Sequence, residues 1–310
     1  MASAADAVAR YPERSIRLLI GFPPGGGTDA LARIIAPKLA ESLGTQWVVD
    51  NRGGAGGNLA TEIVARAQPD GYTLLLSLST SLTVNPSLYG KLPFDVLRDL
   101  QPIIMLAEYD HILVVHAASV PAASLKEFIA LAKSKPGSLN YSSSGIGGTP
   151  HMAAELFKHR AEVNLTHVPY KGGGPAAAAV LAGEVQVMFG TFPSLLPHTK
   201  SGRLRALATT GTKRSPLTPE LPTIAESGFP GFEATGWIGL LAPAKTPQPI
   251  IKVLHSEALK ALALPEVQEA LSRQGLFEST TSSPAQFTAY IKQETQTWTR
   301  IIKSAGIRAE

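Results

Sequence analysis

The chain has 310 residues, no cysteine and a formal net charge of +4 at pH 7. Its composition, 44% hydrophobic and 17% charged, is that of an ordered globular protein, and its length favours two domains or lobes over one core. The lack of cysteine excludes disulfides, cysteine-bound zinc and thiol catalysis. There is also neither an apolar run of the roughly 18 to 20 residues that span a bilayer nor the Lys and Arg cluster typical of a nucleic-acid groove.

The opening stretch, "MASAADAVARYPERS", is small and polar and has no apolar segment of the kind a signal peptide carries. We expect it to be either the remainder left by removal of a signal peptide, behind a starting Met, or an ordinary terminus. The mildly basic balance predicts either a plain solvated surface or a weak field that attracts small anions.

A strand, a glycine turn and a helix come next. The apolar run "IRLLI" predicts the strand, "GFPPGGGTDA" the turn and "ALARIIAPKLAESLG" the helix. We expect Thr28 or Asp29 to cap the helix, Gly44 to end it and Pro37 to kink it. The apolar residues at helical spacing are Leu31, Ile34, Ile35, Leu39 and Leu43.

The same order continues through "QWVVD" (strand), "NRGGAGGN" (turn), "LATEIVARA" (helix) and "YTLLLS" (strand). Alternating strands and helices predict a parallel sheet with both faces covered.

The pattern then begins again. "HILVVH" predicts a strand, and "SLKEFIALAKSKPG" predicts a helix capped by Ser124. "LNYSSS", "GIGGTP" and "HMAAELFKHR" predict a strand, a turn and a helix, as do "LTHVPY", "KGGGP" and "AAAAVLAGE". "VQVMFGT" and "LRALATT" predict two more strands.

Four glycine turns therefore stand between a strand and a helix: Gly25–Gly27, Gly53–Gly57, Gly145–Gly148 and Gly172–Gly174. Glycine permits positive φ and close approach to the backbone, and a helix start presents free N–H groups to an anion. The carboxyl ends of parallel strands form the ligand crevice of such sheets. Any one turn is also explained by tight packing alone, and we expect some of the four to be purely structural.

The main alternative is a dinucleotide-binding fold. Gly25, Gly27 and Ala30 fit G-x-G-x-x-A, and Asp50 stands where a ribose-binding acid belongs. Pro23-Pro24 widens the turn, however, and a second glycine loop comes after Asp50. No Walker lysine stands behind the glycines, which argues against a nucleoside triphosphate.

Catalytic patterns are missing: the sequence has no G-x-S-x-G and no H-E-x-x-H. No acid is placed to orient His151 beside Ser143 and Ser144, so we expect His151 to pack or to donate a hydrogen bond. Lys171 could pair with an anion or lie in solvent. We predict no enzyme activity, no cofactor and no metal.

Long blocks of the chain resemble the tripartite tricarboxylate transport receptor family, the Bug-type periplasmic solute-binding proteins. They are "YPERSIRLLIGFPPGGGTDALARIIAPKLAESLG", "VVDNRGGAGGNLATEIVARAQPDGYTLL", "HVPYKGGGPAAAAVLAGEVQVMF" and "RSPLTPELPTIAESGFPGFEATGWIGLLAPAKTP". The resemblance runs from about Tyr11 to the C-terminus.

The resemblance implies an α/β fold of the periplasmic binding protein type II class, with two Rossmann-like lobes joined by two crossing strands. We place the crossings near Tyr109–His116 and Thr235–Ala242. Lobe 1 would comprise residues 1–108 and 235–310, and lobe 2 residues 109–234. A ligand would lie between lobes that close on it like a clamshell.

The resemblance also implies the ligand and the site. Family ligands are mostly small carboxylates, held by backbone amides, hydroxyls and ordered waters rather than by an arginine. The implied site residues are Phe22, Pro24, Gly25, Gly26, Thr28, Asp29, Ser79 and Thr80 in lobe 1, and Ser144, Gly145, Gly148, Thr149, His151, Tyr170, Lys171, Gly172 and Thr191 in lobe 2.

One departure from the family pattern concerns the ligand. Relatives commonly have acids where this chain has Gln186 and Gly190. We interpret this as an acid lost near the site, which favours a dicarboxylate or an aromatic acid over an amino acid. We expect a monomeric periplasmic receptor that serves uptake with a tripartite transporter, or sensing; the alternative is an NAD(P)-dependent oxidoreductase.

Overall fold

The computed structural model describes residues 10–279 and 283–308. It divides into two compact units. The first unit comprises the chain up to Glu108 and again from Trp237, and the second unit is Tyr109–Gly236. The predictions for the opening stretch lie, through residue 9, outside the described residues.

The strands are β1 (Ile16–Ile20), β2 (Trp47–Asn51), β3 (Thr73–Leu78), β4 (Leu100–Tyr109), β5 (Ile112–His116), β6 (Asn140–Ser143), β7 (Thr166–Pro169), β8 (Val187–Gly190), β9 (Leu204–Thr209) and β10 (Gly236–Pro243). The helices are α1 (Gly27–Leu43), α2 (Asn58–Ala65), α3 (Ser79–Thr83), α4 (Asn85–Leu88), α5 (Val96–Asp99), α6 (Leu125–Ser134), α7 (Thr149–Ala161), α8 (Gly173–Ala182), α9 (Phe192–Lys200), α10 (Gln248–Leu262), α11 (Pro265–Arg273) and α12 (Pro284–Ala305).

The first unit contains a five-stranded sheet in the order β2-β1-β3-β10-β4. β1 pairs in parallel with β2 and β3, as predicted. β10 runs antiparallel to β3, a direction that the sequence pattern did not predict, so the sheet is mixed. Mixed sheets of this kind are common because one antiparallel strand extends a parallel sheet without a covering crossover helix.

The core of the first unit explains the apolar run of β1. Leu18, Leu19 and Ile20 are all almost fully buried, as expected for a strand covered on both faces. α1 extends through Pro37 and ends at Gly44, which takes the left-handed conformation (φ 63°) that glycine adopts easily.

The second unit contains the other five-stranded sheet, in the order β7-β6-β8-β5-β9. β6 is parallel to β7 and β8, whereas β5 is antiparallel to β8 and β9. The predicted cap of α6 is confirmed: Ser124 Oγ accepts a hydrogen bond from the Glu127 amide at 3.2 Å. Each of the four predicted glycine turns lies between the carboxyl end of a strand and the start of a helix.

Candidate functional site

The first glycine turn joins β1 to α1 and presents open amides. Gly26 is the N-cap of α1 and has no side chain with which to cap it, so the prediction of Thr28 or Asp29 as cap is wrong. Within the described part of the chain, the amides of Gly26, Gly27 and Thr28 have no protein acceptor. Successive open amides at a helix start, together with the positive end of the helix dipole, favour an anion there.

The carboxylate of Asp29 stabilises this turn through hydrogen bonds. Its buried carboxylate accepts hydrogen bonds from the Gly25 amide at 3.0 Å, from Arg33 Nε at 2.8 Å and from Asn51 Nδ2 at 3.2 Å. The hydrogen bond from Arg33 chiefly lowers the pKa of Asp29, with help from Gly25 and Asn51. Both carboxylate oxygens therefore accept hydrogen bonds from other groups of the protein, and the negative charge is paired with Arg33.

The second glycine loop supports the first turn by close packing. A Cβ on Gly21 would lie 2.6 Å from Gly57 Cα, and a Cβ on Gly57 would collide with Ser81. Ser81 Oγ also donates to the Gly56 carbonyl at 2.7 Å. This loop is thus one of the turns with a structural role.

The other predicted residues of the first unit differ in burial. Phe22 is half-buried, and its carbonyl accepts a hydrogen bond from Asn51 Nδ2 at 3.0 Å. Pro24 is exposed, whereas Ser79 and Thr80 are buried at the start of α3. Asn51 was not predicted as a site residue, although its position at the end of β2 beside the glycine loop could have suggested it.

In the second unit, the turn of Gly145–Gly148 uses most of its amides internally. The Gly145 amide donates to Ser143 Oγ at 3.2 Å, the Gly147 amide to His151 Nδ1 at 3.0 Å and the Gly148 amide to the Gly145 carbonyl at 3.3 Å. These amides therefore fix the shape of the turn through hydrogen bonds within the second unit.

Two neighbouring groups of the second unit complete this region. The Gly172 amide donates to the Ser144 carbonyl at 3.2 Å, which joins the Gly145–Gly148 turn to the Gly172–Gly174 turn. Thr149 Oγ1 shares a hydrogen bond of 3.3 Å with the hydroxyl of Tyr109. Gly145 and Gly172 both have positive φ, at 132° and 109°, which explains glycine at these two positions.

His151 accepts a hydrogen bond instead of donating one, which corrects the expected direction. Its ring is buried and lies nearly parallel to the ring of His167, with centroids 4.1 Å apart. Burial, the nearby His167 and Lys158 lower the pKa of His151 to about 3. A neutral imidazole fits its role as acceptor from Gly147.

The remaining predicted residues differ in their surroundings. Tyr170 hydrogen-bonds Glu184, and its pKa is raised by burial and by that carboxylate. Lys171 is exposed and, among the described residues, has no ion-pair partner. Thr191 is exposed at the start of α9, where its hydroxyl lies 3.1 Å from that of Ser194.

The interpretation of Gln186 as a lost acid near the site is wrong. Gln186 precedes β8, and its Oε1 accepts from the amide of Asn140, the first residue of β6, at 3.0 Å. Because β6 and β8 are parallel, this is the end opposite to the glycine turns. Gly190 does lie at the carboxyl end of β8, but a Cβ there would come 2.6 Å from Leu195 Cδ1.

Asp50 is not available to a ribose. Arg17 binds its Oδ2 through Nε at 2.8 Å and Nη2 at 2.5 Å, and Arg52 Nε binds its Oδ1 at 2.9 Å. These two arginines also lower the pKa of Asp50, Arg17 most strongly. The acid that fits the dinucleotide spacing is an ion-pair residue.

Metal-ligand clusters and membrane-spanning helices are both absent from the described part of the chain. In residues 10–279 and 283–308, no three His, Cys, Asp or Glu side chains are grouped as metal ligands would be. Over the same ranges, every helix is too short or too polar to cross a membrane.

Comparison with solved structures gives close matches over nearly the whole chain. Rpa4515 of R. palustris with adipate matches with a TM-score of 0.85 and 34% identity, covering 96% of this chain and 99% of that one. The periplasmic binding protein BugD matches with a TM-score of 0.82 and 33% identity, covering 97% and 100%. MatC from Rhodopseudomonas palustris with bound malate matches with a TM-score of 0.82 and 30% identity, covering 94% and 100%.

The family model of the tripartite tricarboxylate transporter family receptor matches residues 31–307. Members of this family are solute-binding proteins and not enzymes, so the oxidoreductase alternative is wrong. The predicted two-lobed mixed α/β fold is confirmed by the match to BugD. The chain belongs to the tripartite tricarboxylate transporter receptor family, as shown by the match over residues 31–307 and in agreement with the two five-stranded sheets and their glycine turns.

Proposed function

We propose that this chain is a periplasmic receptor for a small carboxylate, and that one carboxylate group of the ligand binds the amides of the first glycine turn. The observation that carries the proposal is the set of open amides at Gly26, Gly27 and Thr28, at the start of a 17-residue helix. Charge-assisted hydrogen bonds from such amides hold a carboxylate without an arginine.

The proposed ligand class is a dicarboxylate or an aromatic acid. Adipate and malate, bound by the similar proteins Rpa4515 and MatC, are both dicarboxylates. Asp29 is the acid among the predicted site residues, and its oxygens already bind Arg33, Asn51 and Gly25. It therefore offers little to a ligand ammonium group, which supports a plain acid over an amino acid.

The wider role rests on the family. We propose that the chain acts in the periplasm as a monomer, either delivering its ligand to a tripartite transporter or reporting the ligand's presence. That the ligand lies between the two units, and that they close on it, stays a prediction.

A thermal-shift screen tests the proposal. Adipate, malate, benzoate and glutamate would each be added in excess, with NAD and ATP as controls. A ligand at 100 times its dissociation constant stabilises the protein by about 2.7 kcal/mol. We expect stabilisation by a dicarboxylate or benzoate and none by NAD or ATP. Stabilisation by glutamate alone would contradict the ligand class, and stabilisation by NAD alone would contradict the function.

A further inference from the structure

Three aromatic rings of the second unit form a stack under the Gly145–Gly148 turn. The rings belong to Tyr141 on β6, His167 on β7 and His151 on α7. His167 lies 4.1 Å from His151 and 4.8 Å from Tyr141, centroid to centroid, at interplanar angles of 11° and 17°. Tyr141 and His151 are 6.4 Å apart at 15°. The three rings thus hold one another in nearly parallel planes.

Both imidazoles of the stack hold the turn. His151 Nδ1 accepts the Gly147 N–H at 3.0 Å. His167 Nε2 shares a hydrogen bond of 2.7 Å with Ser143 Oγ, which in turn accepts the Gly145 N–H at 3.2 Å. One histidine therefore fixes the beginning of the turn and the other fixes its third residue.

The hydrogen-bond direction determines the proton of His151. Because Gly147 donates an N–H, Nδ1 has to carry a lone pair, and the single proton of the neutral ring is then on Nε2. Nε2 lies 4.0 Å from Glu155 Oε1, which accepts from the Tyr141 hydroxyl and from Lys158 Nζ, both at 2.6 Å. Glu155 is thus already paired with Lys158, so it provides less stabilisation for a second proton on His151.

Charged and titratable groups face the stack from α7, β6 and β7: Glu155 and Lys158 from α7, Tyr141 from β6, and the two histidines themselves. The pKa of His167 is lowered to about 4, chiefly by burial; Glu155 opposes this shift and Lys158 contributes to it. Two stacked imidazoles also repel each other when both are charged. The neutral form of both rings is therefore the stable one at neutral pH.

We propose that His151 and His167 are positioning residues, which hold the Gly145–Gly148 turn in the conformation that the ligand-bound receptor needs, and that His151 does so only as a neutral imidazole. The importance of this turn for ligand affinity rests on the proposed function. The hydrogen bonds that connect the two histidines to the turn are independent of the proposed function.

A pair of substitutions separates the ring from its nitrogen. His151→Phe keeps an aromatic ring in the stack but removes the acceptor of the Gly147 amide. His151→Asn removes the ring and places an amide oxygen close to where Nδ1 lies. We expect His151→Phe to weaken adipate or malate binding roughly tenfold or more, because an amide loses its partner, and His151→Asn to bind more tightly than His151→Phe.

Readouts without ligand keep the test separate from the proposed function. Nitrogen NMR of the parent protein should show His151 Nδ1 without a proton, and the Gly147 amide should exchange faster in His151→Phe than in the parent. His167→Phe should likewise speed exchange at Gly145, and His167→Gln should restore part of the protection.

The outcomes are distinct. A proton on Nδ1 in the parent, or unchanged Gly147 exchange and affinity in His151→Phe, would overturn the proposal. Binding of no carboxylate by the parent would refute the proposed function, while the exchange data would still decide whether the histidines hold the turn. If His151→Phe does not fold, the tautomer of the parent decides.

Discussion

At residue scale, Gly26 offers a direct test of the carboxylate site. Its φ of −83° and ψ of 171° suit any residue, and a Cβ there would have the Pro23 carbonyl oxygen as its nearest contact, at 3.9 Å. Gly26→Val should therefore fold normally but cover the amides of Gly27 and Thr28. We expect carboxylate affinity, measured by calorimetry, to fall roughly tenfold or more because a charge-assisted hydrogen bond is lost.

Gly25 provides the control, because a side chain there strains the backbone without meeting a neighbouring atom. Gly25 has a φ of +89°, and a Cβ there would meet no atom within 4 Å. Gly25→Ala should therefore lower the free energy of unfolding by about 1 to 2 kcal/mol through backbone strain alone. If Gly26→Val binds carboxylates as tightly as the parent, the first turn has only a packing role and the proposed site is wrong.

At the scale of single elements, the start of α6 allows a test of a helix cap. Ser124 caps the Glu127 amide, and Glu127 Oε2 accepts from the Ala123 amide at 2.8 Å, so two open donors are satisfied reciprocally. Ser124→Ala should lower the free energy of unfolding by about 1 kcal/mol, measured by urea denaturation. Ser134→Ala, at the exposed last residue of the same helix, is the matched control and should cost much less. Equal losses for the two variants would contradict the cap.

The short helices show which elements the local sequence pattern cannot predict. The helices α3, α4 and α5 have five, four and four residues, too few for an apolar period, and the sequence pattern did not predict them. The direction of β10 was also missed, because an apolar run indicates a buried strand but not which neighbour it pairs with.

At the scale of the whole molecule, three histidines of the second unit link stability to pH. Burial lowers the pKa of His111 to about 4, and the pKa values of His151 and His167 are about 3 and about 4. An unfolded histidine has a pKa of about 6.5. Between those values the unfolded chain binds more protons, so folded stability rises with pH across this window.

We therefore expect the free energy of unfolding to fall as pH drops below about 6.5, by at most about 1.4 kcal/mol per pH unit for each histidine. Urea denaturation between pH 7 and pH 5 measures this, since the carboxylates titrate at lower pH. His111→Phe should reduce the slope, whereas a substitution of the exposed His159 should not. A stability that is flat over this range would contradict the buried neutral state.

Local sequence was enough to establish the family, the two lobes of alternating strands and helices, the four glycine turns and the Ser124 cap. All of these depend on residues close together in the chain. Which side chains hold the turns was decided by the fold, because Asn51 reaches the Phe22 carbonyl and Ser81 reaches the Gly56 carbonyl through contacts that no local pattern specifies.

The same reason accounts for the errors. Gln186 and Gly190 are close in the chain but lie at opposite ends of β8, so their spacing could not show which of them is near the turns. His151 and His167 belong to a helix and a strand that meet only through the pairing of β7 with β6. Periodicity records which face of an element is buried, whereas the partner of a polar side chain depends on which elements the fold brings together.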